Sequence, residues 1–332
     1  MIPLALEELI QLLYLKKSNI ILALAVFVFL AFSLIGVTHA ISDKKISSSF
    51  TTYSVPKGQN LNLVIEDLAD SEFQKFFLKI YAYLYNFEEI KFGDYDLQNK
   101  AFSELIQDMN SGNVIVKSFT LIEGMTVYDI KNLFNSLDLA NNCINLECLK
   151  KDLGFSEGIL YPDTYFYSSE DSLAEILINA ELRMAQALDE VWINKNEDNL
   201  NSKSELLILA SIIEKEAGNE EEKVLISSVF HNRLKLRMKL QTDPTIIYGL
   251  LPNFNGDITR KNLRDKSNPY NTYQISGLPP TPIAIPSISS LKAAANPIES
   301  SYIYFVSKGN GTHKFSVTYE EHLEAVDKYQ LN

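Results

Sequence analysis

From Ile20 to Val37 the chain reads IILALAVFVFLAFSLIGV, eighteen residues without a charge or a proline. At about 1.5 Å per residue such a helix extends roughly 27 Å, close to the thickness of a bilayer's hydrocarbon layer. A helix packed on one side needs a single apolar stripe, so apolarity all round predicts a spanning segment over residues 18–39. A cleaved signal peptide competes with this reading, with Thr38-His39-Ala40 as an imperfect small-residue site. The length of the run and the residues ahead of Lys16-Lys17 favour an uncleaved anchor. Lys16 and Lys17 on one side nearly balance Lys44 and Lys45 on the other. A single anchor followed by a large domain fits residues 1–17 in the cytoplasm and the remainder outside it.

Beyond the anchor the pattern changes repeatedly. Residues 40–50 are polar and Ser-rich and read as a linker. TTYSV at 51–55 reads as a strand, and 61–87 places apolar residues at helical intervals. KFGDYDL at 91–97 alternates as a short strand, FSELIQDMNSG at 102–112 is an amphipathic helix stopped by Gly112, and VIVKSFTLIEG at 114–124 is another strand. This alternation predicts a small α+β module over 51–122. Helices then dominate 123–332, at 126–137, 172–195 and 204–217. The stretch 241–286 is broken by Asp-Pro, Asn-Pro, Pro-Pro, Thr-Pro and Ile-Pro pairs and reads as structured loop, of a length that usually serves function. Residues 301–326 read as strand, Gly-Asn-Gly turn, strand and helix.

The 332 residues are 46% hydrophobic and 22% charged, enough for one substantial core and a smaller module. A net charge of −12 argues against a nucleic-acid partner, which requires a basic surface. Cys143 and Cys148 lack the neighbours of a zinc site or a redox pair; they are two thiols or, outside the cytoplasm, a short-loop disulfide. No nucleophile elbow, phosphate loop or H-E-x-x-H pair occurs, and His39, His231, His313 and His322 have no metal-ligand spacing.

One carboxylate stands out. With residues about 100° apart along 205–217, Leu206, Leu209, Ile212 and Ile213 share a face, and Glu216 projects into it. Glu214 falls nearly opposite, towards solvent. A carboxyl at the edge of an apolar face has a raised pKa, the property a general acid needs at neutral pH. At a helix end the same residue can simply reach water.

The neighbouring residues are distinctive. ASIIEKEA at 210–217, SVFHNRL at 228–234, MKLQTDPTIIYGL at 238–250, PYNTY at 269–273 and GLPPTPIAIPS at 277–287 resemble the core signature of the YceG-like endolytic murein transglycosylases (MltG). SEGILYPDTYFY at 156–167, KAAANP at 292–297, YIYFV at 302–306, HKFS at 313–316 and the T-x-x-EH ending at His322 are similar to further family segments. The chain departs from the pattern at His231, Thr281 and Ser287.

The resemblance implies an α+β protein with one transmembrane helix, a LysM-like module at 51–122 and a YceG-like catalytic domain at 123–332. It implies cleavage within peptidoglycan glycan strands between MurNAc and GlcNAc, leaving 1,6-anhydro-MurNAc ends, with Glu216 as the catalytic residue. Gln241, Asp243, Asn271 and Tyr273 match family positions and are candidates for binding sugar, although Asp243 can equally cap a helix and Asn271 hold a turn. No cofactor or metal is implied; glycan strands are the expected partner and peptidoglycan synthases a further one. Two other readings stay open: a glycoside hydrolase using Glu216 and Asp243, and a non-catalytic anchored scaffold that binds glycan.

Overall fold

The structure, a computed structural model, describes residues 4–87, 89–137, 139–169, 171–196, 199–254 and 256–331, without the side chains of 4–13. Met1–Pro3 of the predicted cytoplasmic segment therefore lie outside the described residues. The chain forms two compact units: residues 1–117 with 168–170, and residues 118–167 with 171–332.

The first unit begins with α1 (Leu4–Ser42), a single helix that runs through the predicted N-terminal segment and the apolar stretch alike. Its residues 14–42 are long and apolar enough to cross a membrane. Behind it come β1 (Thr52–Val55), α2 (Leu61–Leu68), α3 (Glu72–Leu84), β2 (Gly93–Asp96) and α4 (Phe102–Ser111). β1 and β2 pair antiparallel, Tyr53 opposite Tyr95. Val55, Leu61, Val64, Ile65, Leu78, Tyr95, Phe102, Leu105 and Ile106 form the core. Gly112 ends α4 at φ 81°, a left-handed conformation that costs glycine little. The polar segment after the apolar stretch is partly tied down: α1 continues to Ser42, the Ile46 amide donates to the Lys100 carbonyl at 3.0 Å, and Ile41 and Ile46 pack against the core.

β3 (Lys117–Leu121) differs from the expectation that grouped it with the small module. It pairs with β4 (Asp163–Tyr167) of the second unit. The reason is packing: Phe119 and Leu121 are buried, and the Phe119 ring stacks on Tyr165 at 5.6 Å.

The second unit adds α5 (Val127–Asn135), α6 (Leu173–Ile193), α7 (Lys203–Glu216), α8 (Lys223–Lys235), α9 (Asp243–Leu250), α10 (Arg260–Arg264), α11 (Ile288–Ala295), the antiparallel hairpin β5 (Tyr304–Ser307) and β6 (His313–Ser316), and α12 (Tyr319–Val326). The proline-rich stretch is thus not all loop. Pro244 sits in the first turn of α9, where a helix needs no N–H. Cys143 and Cys148 form a disulfide. His231, one of the departures from the family pattern, is buried and bonds the Ala294 carbonyl at 2.8 Å, joining α8 to α11.

One buried carboxylate ties α5 to α9. Glu157, 3% exposed, accepts the Val127 amide at 3.1 and 3.2 Å and the Tyr248 hydroxyl. Burial outweighs these bonds and lifts its pKa from 4.5 to about 7. Between those values the native state holds the extra proton, so this group makes stability fall as pH rises from about 4.5 to 7, by about 3 kcal/mol. Glu157→Gln is expected to flatten that slope in urea unfolding curves taken across the window; an unaltered slope would place the titration elsewhere.

Candidate active site

α7 is the central helix of the second unit. Leu206 to Ile213 are buried on every side, so the single apolar face read from the sequence is one side of a core helix. This changes the fate of Glu214. It does not reach solvent but lies against the start of α11, where unpaired helix N–H groups favour an anionic acceptor. It accepts the Ser287 amide at 2.9 Å, the Ser290 hydroxyl at 2.6 Å and the Ser287 hydroxyl, with Lys223 Nζ at 3.4 Å. Burial would raise its pKa, but the Ser287 and Ser290 bonds and the Lys223 charge prevail and hold it below the usual range.

Glu216 closes the same helix and behaves oppositely. Burial raises its pKa and the nearby Asp243 charge adds to the effect, against a hydrogen bond from Thr242 and the charges of His313 and Arg233. The Thr242 hydroxyl donates to Glu216 Oε1. Thr242 is held in turn by buried threonines: its amide donates to Thr272 Oγ1 at 3.0 Å, and Thr245 Oγ1 donates to its carbonyl at 2.7 Å. Gly218, two residues past Glu216, meets the tip of the β5–β6 hairpin so closely that a Cβ there would stand 2.4 Å from the Gly311 carbonyl oxygen. Only glycine permits that approach.

Glu216 opens on a cleft of about 490 Å³. Gln241, Asp243 and Tyr273 line it, and Tyr273 Oη donates to Asp243 Oδ1 at 2.8 Å. Asn271 is not among the lining residues. It is buried within its own loop, donating to the Asn262 and Asp265 carbonyls at 3.0 and 2.8 Å and accepting the Tyr273 amide at 3.1 Å. Asn271 therefore shapes the loop that presents Tyr273.

The sequence does not single out Thr242, Arg233 or Tyr304 as site residues, and of His313 and His322 it shows only that they lack metal-ligand spacing and lie in segments similar to the family; Arg233, Tyr304, His313 and His322 line the cleft. Arg233 is buried, with Nε on the Ile303 carbonyl at 2.7 Å and Nη1 on the Leu240 carbonyl at 2.7 Å. His313 donates its amide to Glu222 Oε1 at 2.8 Å and bonds Oε2 through Nδ1 at 2.7 Å. His322 stacks on Tyr304 at 5.1 Å; burial and the Arg233 charge depress its pKa, which favours the neutral ring. All five lie in segments that resemble the family, Arg233 in SVFHNRL, Thr242 in MKLQTDPTIIYGL, Tyr304 in YIYFV, His313 in HKFS and His322 at the end of T-x-x-EH, but nothing within a segment marks which side chain reaches the cleft. Among the described residues no group of three or more His, Cys, Asp or Glu side chains could hold a metal ion.

The two glutamates are expected to respond in opposite ways. Glu214→Ala removes the acceptor of the Ser287 amide and of the Ser287 and Ser290 hydroxyls and leaves Lys223 with Glu220 as its carboxylate partner, and should lower stability by about 2 kcal/mol. Glu216→Gln removes a carboxyl whose ionisation burial opposes, and should leave the melting temperature unchanged or raised. Thermal unfolding of both variants decides this, and a large loss for Glu216→Gln would contradict the assignment.

The sequence model of the YceG-like family matches residues 53–328. Over 173 residues the chain is 40% identical to the endolytic murein transglycosylase of Bacillus subtilis, covering 52% of this chain and 48% of that one. It is 27% identical over 303 residues to the endolytic murein transglycosylase of Streptococcus pneumoniae, covering 78% and 54%. The crystal structure of a YceG-like protein from Listeria monocytogenes covers 82% of this chain and 98% of that one, at 29% identity and a TM-score of 0.49. The chain spans about half the length of the curated relatives it matches. With ordered motifs and a family match running from the small module to the last helix, this chain belongs to the YceG-like family.

Proposed function

We propose that the chain is an endolytic lytic transglycosylase that cuts MurNAc–GlcNAc bonds within nascent peptidoglycan strands and leaves 1,6-anhydro-MurNAc ends, so terminating strand elongation. The observation that carries this reading is Glu216, a carboxyl with a raised pKa held by Thr242 at the edge of a polar and aromatic cleft. Family membership and the names of the relatives support it.

One carboxyl group suffices for the chemistry. Protonated Glu216 gives its proton to the glycosidic oxygen as the C1–O bond breaks through an oxocarbenium-like state. The carboxylate then takes the proton of the sugar's own C6 hydroxyl, whose oxygen bonds to C1. The ring closes, Glu216 is protonated again, and no water, cofactor or metal takes part. Gln241, Asp243 and Tyr273 are placed to bind the sugars, and Asn271 acts through the loop that carries Tyr273.

In this reading residues 1–17 lie in the cytoplasm, 18–39 cross the membrane, 40–50 link to a LysM-like glycan-binding module that begins at 51 and ends before β3, and the unit that contains β3 and Glu216 catalyses outside the membrane. The Cys143–Cys148 disulfide supports that side, since disulfides persist in oxidising compartments. Glycan strands and peptidoglycan synthases are the partners.

Two measurements test the proposal. The full chain and its Glu216→Gln variant are incubated with uncrosslinked glycan strands and the products weighed by mass spectrometry. Internal cuts with anhydro ends are expected from the first and none from the second. Reducing ends carrying added water would point to a hydrolase with Asp243 as base or nucleophile, and an inert wild type that still binds strands would point to a scaffold. In the pH profile of kcat/KM, Thr242→Val removes a bond that stabilises the ionised Glu216. Its alkaline limb should move up by about 1 pH unit; a limb that stays in place would show that another group titrates.

A further inference from the structure

Helix α3 carries apolar residues on two faces. Phe77, Leu78, Tyr81 and Ala82 are buried against the core of the first unit. At about 100° per residue, Phe73, Phe76, Ile80, Tyr83 and Leu84 fall within a second arc about 100° wide, turned away from that core. Phe73 is 63% exposed, Phe76 58%, Tyr83 82% and Leu84 50%. A soluble helix would be polar there. The charged residues form a narrow strip to one side and are already paired, Lys75 with Glu66 and Glu72, and Lys79 with Glu66. A continuous apolar face of this kind marks a contact surface.

The same unit indicates what covers it, because one end of α3 bonds His39 of α1 and the other pairs with Lys44, two residues past the end of α1. Asp70, just before α3, pairs with Lys44 at 3.6 Å. Tyr85, just after it, bonds His39 Nε2 through its hydroxyl at 2.8 Å, and the Tyr81 and Tyr85 rings lie 5.8 and 5.6 Å from the His39 ring. Thr38 and Ser42 of α1 are buried. His39 to Lys44 extends less than roughly 10 Å along the chain. All of α3 is therefore held beside the point where the apolar run of α1 stops, at Val37. Aromatic side chains at that depth occupy the headgroup region of a bilayer.

We propose that α3 is an interfacial helix whose Phe73, Phe76, Ile80, Tyr83 and Leu84 face lies at the boundary between headgroups and acyl chains of the bilayer that α1 crosses. The proposal rests on the anchor reading above. It holds the first unit on the lipid surface instead of leaving it on a free tether. With its lysines paired and a chain charge of −12, the attraction is apolar, so it needs no anionic lipid and resists salt.

The test uses the full chain in phosphatidylcholine nanodiscs with brominated acyl chains, which quench tryptophan on contact. Trp192 is the one tryptophan, so the background is Trp192→Phe. Phe29→Trp within α1 reports the anchor and Phe76→Trp on α3 reports the face; Phe76 is exposed, so the larger ring needs no room in the core. Loss of emission from both, maintained at high salt, is the expected result. Loss from position 29 alone would overturn the interfacial helix while leaving the anchor, and would assign the stripe to a protein partner. Loss from neither would overturn both.

Discussion

The hydrogen bond from Thr242 to Glu216 is the contact on which the site depends. Without it the last residue of α7 would be an ordinary helix-terminal carboxylate, free to turn towards water. With it one oxygen is fixed, leaving the group beside the cleft. Thr242 can do this because Thr245 and Thr272, both fully buried, hold its backbone from two segments of the proline-rich stretch. Prolines and threonines here serve one end: Pro244 starts α9 so that Thr242 sits immediately before it, and the Asn271 turn brings Thr272 and Tyr273 alongside. The length of the stretch is explained by the number of positions it must fix.

Glu214 supplies the complementary constraint. A core helix ending in two glutamates needs a reason to present one and not the other, and the serines of α11 provide it. Their donors and the Lys223 ammonium stabilise the Glu214 anion, so its burial is compensated within the fold. Glu216 receives one hydroxyl and the partial influence of Arg233 and His313, opposed by Asp243. Two identical side chains two residues apart are thus driven to opposite pKa shifts by what faces them, one bonded to the start of α11 and the other left beside the cleft.

Much of this could be read from the residues alone, and the failures have physical causes. The long apolar helix, the amphipathic helices, the terminal hairpin and the burial of one side of α7 follow from local periodicity, which the structure obeys. Glu214 was misjudged because a helical wheel assumes one wet face, whereas α7 is surrounded; whether a helix is central depends on what packs on it. β3 was assigned to the nearer module because strand pairing is non-local, and its partner β4 lies more than forty residues on. Asn271 carries the donors and acceptors of a sugar ligand, but a buried loop needs the same groups. Arg233, His313 and His322 reach the cleft through tertiary packing and have no mutual spacing in the chain.

Asp243 shows how far the geometry constrains the chemistry. A hydrolase of the two-carboxyl kind needs its second carboxylate free to take a proton from water or to attack the sugar. Here Asp243 already accepts the Tyr273 hydroxyl, and burial together with the Asp243 charge raises the pKa of that phenol, which keeps it a donor. A carboxylate held in this way is better suited to be a fixed negative charge than a nucleophile. Such a charge raises the Glu216 pKa, and in the proposed reaction it would also stabilise positive charge developing at C1. This favours the proposed reaction over a hydrolase, because a C6 hydroxyl on the sugar bearing that charge needs neither a water site nor a second base.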